Sequence, residues 1–189
     1  AKVDKMSQKG EDLLKLRLLS LIHDDFYYYC EVPGVFLADG SGVRIDFLIH
    51  PNKNLINHGF DNYWFGLEVK NFEKCGDTGK MSKLLWQAIE YSYSEFVIPQ
   101  GKVRPIAVLI FSDIKQANFL KDSNKLDSWF HKLQLASYAN VGELKEINSN
   151  WSIYFANSLY FKKSFMGFTK GNCEILKKKS HFVSKLTVN

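Results

Sequence analysis

Two carboxylates and a lysine stand at spacings that can do chemistry: Asp46, inside the run Val43–Ile49, and the triplet Glu68-Val69-Lys70. In an extended strand residues i and i+2 point the same way, so Glu68 and Lys70 project together. If the segment around Asp46 pairs antiparallel with the segment around Glu68, two carboxylates and an ammonium converge on one small volume. Clustered carboxylates repel one another unless a cation neutralises them. Oxygen ligands of this kind suit Mg²⁺ or Mn²⁺, which keep several waters and bridge to phosphate. A lysine at the edge of such a set can orient one of those waters or help deprotonate it. The chemistry expected is phosphodiester cleavage, by a metal-activated water attacking in line while the cation stabilises charge on the phosphate.

The elements that must position these groups follow from periodicity. Leu14, Leu18 and Leu21 recur at helical spacing and predict a helix from about Ser7 to His23, with Ser7 as N-cap. Glu11 precedes Leu14 and Leu18 by three and seven residues, so it lies on or beside the inward stripe. The tyrosine-rich run Phe26–Val32 reads as a strand ended by Pro33-Gly34. In Val43–Ile49, Val43, Ile45, Phe47 and Ile49 alternate with Arg44, Asp46, Leu48 and His50, the period of a half-buried strand. A polar loop, 51–62, leads to a strand over 63–71 with Phe65, Leu67 and Val69 on one face. A helix over about 81–96, a buried strand over 105–111, helix within 115–138 and a strand over 151–161 complete the pass. The class is α/β, with a mixed central β-sheet of about four to five strands flanked by helices.

With these residues the sequence resembles the PD-(D/E)XK nuclease superfamily. Ile45-Asp46 matches its apolar-acid step, although the family's proline is replaced by Ile45, and Glu68-Val69-Lys70 matches its E-x-K step. Gln87 stands on the following helix, where many members carry a glutamine, and Glu11 matches the acid that Holliday-junction-resolvase-like branches place before the sheet. The resemblance covers about residues 10–111 and implies a restriction-endonuclease-like core with Mg²⁺-dependent hydrolysis of nucleic acid. It casts Asp46 and Glu68 as metal ligands, the Val69 carbonyl as a third, and Lys70 as the group that positions the water. Gln87 then orients Lys70 or contacts a phosphate, unless it is a helix-surface amide. Glu11 is an outer or second-metal ligand, unless it is a first-turn acid favouring a helix N-terminus. Arg44 reaches either a phosphate or a cross-strand salt bridge.

Other candidates carry less. His23-Asp24-Asp25 has ligand-type side chains, but adjacent residues point apart; His50 and His58 flank a loop without partner spacing; Glu31 is an alternative third carboxylate. Trp64 and Tyr91 offer stacking on an unpaired base against the commoner role of core aromatics. No phosphate-cradling GxxxxGK[ST] loop or GxGxxG fingerprint is present.

Composition sets the frame. At 189 residues, 46% hydrophobic and 24% charged, the chain is neither disordered nor fibrous, and no stretch reaches the roughly 18–20 apolar residues that span a bilayer. Residues 1–10 are polar and lysine-bearing, unlike a secretory signal. Cys30, Cys75 and Cys173 are far apart and odd in number, which argues against a disulfide framework and for a reducing, intracellular (cytoplasmic) setting. The net charge is +5, and residues 161–189, with seven lysines and Glu174, carry +6. We therefore divide the chain into a nuclease-like domain, 1–160, and a lysine-rich C-terminal segment, 161–189, packed on it through its interleaved phenylalanines. Lys162, Lys163, Lys177, Lys178 and Lys179 are the expected phosphate contacts. The expected function is a metal-dependent deoxyribonuclease, endonuclease or nickase, using Mg²⁺ or Mn²⁺. Its rival is a non-catalytic nucleic-acid-binding module on the same scaffold. DNA is the expected partner, with RNA and a homodimer left open and no membrane.

Overall fold

The computed structural model describes residues 2–72, 78–113 and 123–175. In chain order the elements are α1 (Lys2–Ile22), β1 (Phe26–Phe36), β2 (Gly42–Pro51), α2 (Lys53–Asn57), β3 (Phe65–Lys70), α3 (Thr78–Ser92), β4 (Ser94–Ile98), β5 (Gly101–Val103), β6 (Ala107–Ser112), α4 (Ser123–Ser137), β7 (Val141–Ile147), β8 (Asn150–Phe155), β9 (Ser158–Ser164) and β10 (Gly167–Lys170). All strands join one mixed sheet in the order β10-β9-β8-β7-β6-β3-β2-β1-β4-β5. Strand β3 runs antiparallel to β2 and parallel to β6, which is in turn parallel to β7.

This corrects the expected sheet of four to five strands flanked by helices: there are ten strands, and strand residues outnumber helical ones among those described. The extra strands are short or heavily charged. Strand β7, Val-Gly-Glu-Leu-Lys-Glu-Ile, offers little hydrophobic alternation, and β5 has three residues. The run 151–161 is a hairpin, β8 and β9, turning where Ala156 adopts φ 53°. Asn148 and Ser149, both at positive φ (50° and 60°), form the two-residue turn from β7 to β8, a conformation that suits the right-handed twist of paired strands.

Boundaries also moved. Helix α1 begins at Lys2, so Ser7 is no cap and Glu11 stands in its interior. Strand β1 continues through Pro33-Gly34. Pairing with β4 begins only at Gly34, so the missing N–H of Pro33 breaks no bond on that side. A Cβ on Gly34 would lie 2.6 Å from the Glu95 carbonyl oxygen, so glycine allows the two backbones to approach. The loop 51–62 contains α2, whose N-cap Asn52 accepts a hydrogen bond from the Leu55 N–H.

Hydrophobic cores cover both sheet faces. On one, α3 and α4 bring Met81, Leu84, Ala88, Trp129 and Leu133 against Ile45, Leu48, Val108 and Ile110. On the other, Leu18 and Ile22 of α1 meet Phe47, Ile49, Phe65, Leu67 and Val69, and an aromatic group of Phe26, Phe60, Trp151, Tyr160 and Phe161. The two lists expose a switch in β2. Ile45 faces α3 while Phe47 faces α1, so the simple alternation expected across Val43–Ile49 breaks at Asp46. The partner strand switches in step: Phe26 joins the α1 core, Val32 the α3 core, and Glu31 between them adopts φ 51°.

Residues 161–164 and 167–170 of the lysine-rich segment are strands of this same sheet. Asp25, buried at the α1–β1 junction, accepts hydrogen bonds from Trp151 Nε1 (2.8 Å) and Lys163 Nζ (2.7 Å), fastening β8 and β9 to the start of β1. Among the described residues no helix is long and apolar enough to cross a membrane.

Candidate active site

The β2–β3 ladder pairs Ile49 with Phe65, Leu48 with Gly66 and Phe47 with Leu67. The next step of that register sets Asp46 opposite Glu68. There the backbone ladder ends, and the Asp46 carboxylate continues it: Oδ2 accepts from the Val69 N–H at 2.8 Å. In a strand a residue's N–H and C=O point to the same side, so the Val69 carbonyl also faces Asp46.

Glu68 projects from β3 toward α3 and is only 7% exposed. Its Oε2 is buried without a hydrogen-bond partner. Burial first, and then the charge of Asp46, push its carboxyl up to about 8, against a hydrogen bond from the Asp46 backbone N–H and the charge of Lys70. Lys70, two residues on, is 3.2 Å from Glu11 Oε2. The overhanging N-terminal half of α1 thus supplies Glu11 to the end of β3.

The same helix supplies a cation. Lys15, one turn after Glu11, places Nζ 2.5 Å from Asp46 Oδ1 and 2.8 Å from Glu31 Oε1. Burial pulls the Lys15 ammonium toward losing its proton, but the bonds from Asp46 and Glu31 outweigh this and raise its pKa. Arg44 closes the chain through Glu31 Oε2 at 3.1 Å, the cross-strand salt bridge rather than a free phosphate ligand. Arg44, Glu31, Lys15 and Asp46 thus form one chain of ion pairs, and Lys70 and Glu11 a separate pair beside Glu68.

From α3, Tyr91 is buried beside this cluster. Its hydroxyl donates to the Arg44 carbonyl oxygen (2.7 Å) and accepts from Gln87 Nε2. Burial and the charges of Glu68 and Asp46 raise its pKa. Gln87 thus acts on Tyr91, not on Lys70 as expected. Tyr91 is a strut between α3 and β2, not a stacking platform, and Trp64 packs against Tyr29 and His50.

The structure brings Asp46, Glu68, Val69, Lys70 and Glu11 together, and does not bring Lys162 or Lys163 to them. Lys163 is engaged with Asp25 beyond the end of α1, separated from Lys15 and Glu11 by roughly 10–16 Å of helix. Lys162 lies beside it on β9, and Lys177, Lys178 and Lys179 lie outside the described residues. In the 23–25 cluster, His23 pairs with Asp24 while Asp25 turns inward. His50 packs at a tilt against Trp64 and His58 against Phe168, and neither bonds to the carboxylates.

Sequence reasoning missed Lys15, although its position four residues after Glu11 puts both on one helical face. It also missed a second E-x-K, Glu143-Leu144-Lys145, on β7. That glutamate borders a cleft of about 230 Å³ lined by Leu14, Arg17, Asp113, Trp129 and Phe130. Lys145 Nζ stands 3.1 Å from its Oε2, close enough to balance the charge although not aligned as a hydrogen bond. Asp113, a carboxylate lining that cleft, is engaged by the Phe72 N–H, and the motif match of Asp46 with Glu68-Val69-Lys70 makes the β3 triplet the leading candidate.

Whether the set fits a divalent cation rests on Glu68. Its unpartnered buried oxygen, the facing Asp46 and the Val69 carbonyl form a hard-oxygen set of the kind that suits Mg²⁺ or Mn²⁺, with Lys15 standing on the Asp46 side of it. No three His, Cys, Asp or Glu side chains gather into a metal-holding group among the described residues, so a cation bound here would need the Val69 carbonyl and outer ligands such as water beside the two carboxylates. Comparison of the chain with protein-family profiles, with curated proteins and with solved structures gives no match.

Proposed function

We propose that this chain is a metal-dependent nuclease of the PD-(D/E)XK type, hydrolysing phosphodiester bonds of DNA as an endonuclease or nickase in a reducing, intracellular setting. The observation that carries the reading is the buried, partnerless oxygen of Glu68 opposite Asp46, with Lys70 on the same strand face. Asp46, Glu68 and the Val69 carbonyl would hold Mg²⁺ or Mn²⁺, which when bound supplies an acidified water and charge stabilisation at the phosphate. The chain's own residues supply the rest. Lys70, at the open end of β3 and tethered by Glu11, orients the attacking water toward phosphorus. Tyr91, braced by Gln87, holds β2 at Arg44 and keeps Asp46 in register with Glu68. Lys15 holds Asp46 and Glu31 in place and limits their repulsion.

The second reading, a nucleic-acid-binding module without catalysis, is favoured by one contact: Lys15 Nζ already neutralises Asp46. Incubation of the protein with supercoiled plasmid and Mg²⁺ or Mn²⁺, beside Asp46→Ala and Lys70→Ala, separates the two. Nicking by the parent alone supports the enzyme. Equal binding by all three proteins without cleavage supports the module.

A further inference from the structure

The tip of the β9–β10 hairpin is a two-residue loop, since Ser164 and Gly167 are the last paired residues. The two loop residues are Phe165 and Met166, 98% and 90% exposed. Such loops ordinarily carry Asn, Asp or Gly. Large apolar side chains held in water mark a contact surface when they are rigidly presented. These are. Gly167 at φ 118° accommodates the turn, and Ser164 Oγ donates to the Gly167 carbonyl oxygen at 3.1 Å. Phe168 packs on Phe161, Trp151 and His58, while Lys163 and Lys170 tie the hairpin base to Asp25 and to the Gly59 carbonyl.

The hairpin itself carries only positive charge. From Phe161 to Cys173 the sequence holds three lysines and no acid. Lys163 is neutralised by Asp25, but Lys170 bonds an uncharged carbonyl, and Lys162 has no ion-pair partner among the described residues. An apolar point between cations fits a polyanion with an apolar interior, and stacked base pairs between phosphate rails are such a partner.

We propose that the β9–β10 hairpin is a wedge that inserts Phe165 and Met166 between base steps of duplex DNA, with Lys162 and Lys170 on the flanking phosphates. The choice of DNA rests on the nuclease reading above. The hairpin base is held beyond the C-terminal end of α1 and the carboxylate pair lies near its middle. A duplex touching both spans at least roughly three to five base pairs, given the 10–16 Å of helix between them.

The experiment uses the full chain and a Phe165→Ser/Met166→Ser double variant, whose changes lie at fully exposed positions and leave the thermal midpoint unchanged. Both are titrated, without divalent ions, onto a duplex bearing 2-aminopurine at successive steps. The parent is expected to raise the fluorescence by unstacking the probe. The double variant is expected to bind at least about fivefold more weakly, the loss of one stacked contact, with no fluorescence rise. A parent that binds without any fluorescence rise, or a double variant indistinguishable from it, overturns the wedge even if plasmid cleavage is intact. A fluorescence rise in a parent that never cleaves keeps the wedge and removes the nuclease reading. Parallel flotation with phosphatidylcholine–phosphatidylserine vesicles tests the other apolar-centred polyanion. Flotation of the parent but not of the double variant, with DNA binding equal in the two, overturns the proposal in favour of a lipid surface.

Discussion

Lys15 Nζ sits 2.5 Å from Asp46 Oδ1, so an ammonium from α1 occupies one side of the acid that β2 presents to β3. Its charge competes with any cation that Asp46 would help to bind. Lys15→Met is expected to leave the acid cluster more negative and to tighten Mn²⁺ binding by about tenfold, the order expected for one nearby charge. Calorimetric titration of parent and variant checks this. Mn²⁺ binding undetectable in both would favour the module reading, with Lys15 as the permanent counter-ion.

Asp46→Ala and Lys70→Met are expected to lower plasmid cleavage by about 10²–10⁴-fold, the range for removing a group that manages the attacking water. Lys70 is part-exposed and its partner Glu11 can be rehydrated, so Lys70→Met should barely move the thermal midpoint. A variant that retains parental cleavage removes that residue from the chemistry.

Stability should depend on pH through Glu68. Burial and Asp46 raise its carboxyl from an ordinary 4.5 to about 8. Between those values the folded chain holds a proton that the unfolded chain has released, so stability is greatest below pH 4.5 on this account and falls as pH rises toward 8. Without divalent ions, parent minus Glu68→Gln should therefore show a stability difference that declines across that window. Added Mg²⁺ should restore stability at pH 8, because it favours the carboxylate. A difference that is flat with pH refutes the assignment.

The buried Asp25 contact is a stability element independent of the site. Asp25→Ala strands the Lys163 ammonium and the Trp151 N–H together, and should cost about 3–5 kcal/mol. Urea unfolding measures this directly. A loss below about 1 kcal/mol would mean that water replaces the carboxylate at both donors.

The carboxylate pair was legible because two facts of strand geometry suffice to unite it: Glu68 and Lys70 share a face, and Asp46 lies in the neighbouring run. Lys15 was hidden because a lysine four residues after a glutamate reads as a surface pair until tertiary packing turns it inward. The switch in β2 was hidden because Leu48, an apolar residue at a nominally outward position, lets the same run serve two cores. Strand β7 escaped because three charges in seven residues mask its apolar alternation, and because Glu146 is paired by Arg17 of α1, which no local pattern announces. Burial of Asp25 is likewise set by residues more than a hundred positions away.

The paired reversal of β1 and β2 at Glu31 and Asp46 leaves position 46 on a seam that belongs to neither interior. A greasy side chain there gains no pocket, and a long one displaces the Lys15 bridge or the Val69 amide. The seam should therefore tolerate Asn or Ser in a fold-only selection while rejecting Leu and Phe, although every immediate neighbour in the run is apolar or basic. A position this close to two dry cores would then be kept hydrophilic by geometry alone, before any reaction is asked of it.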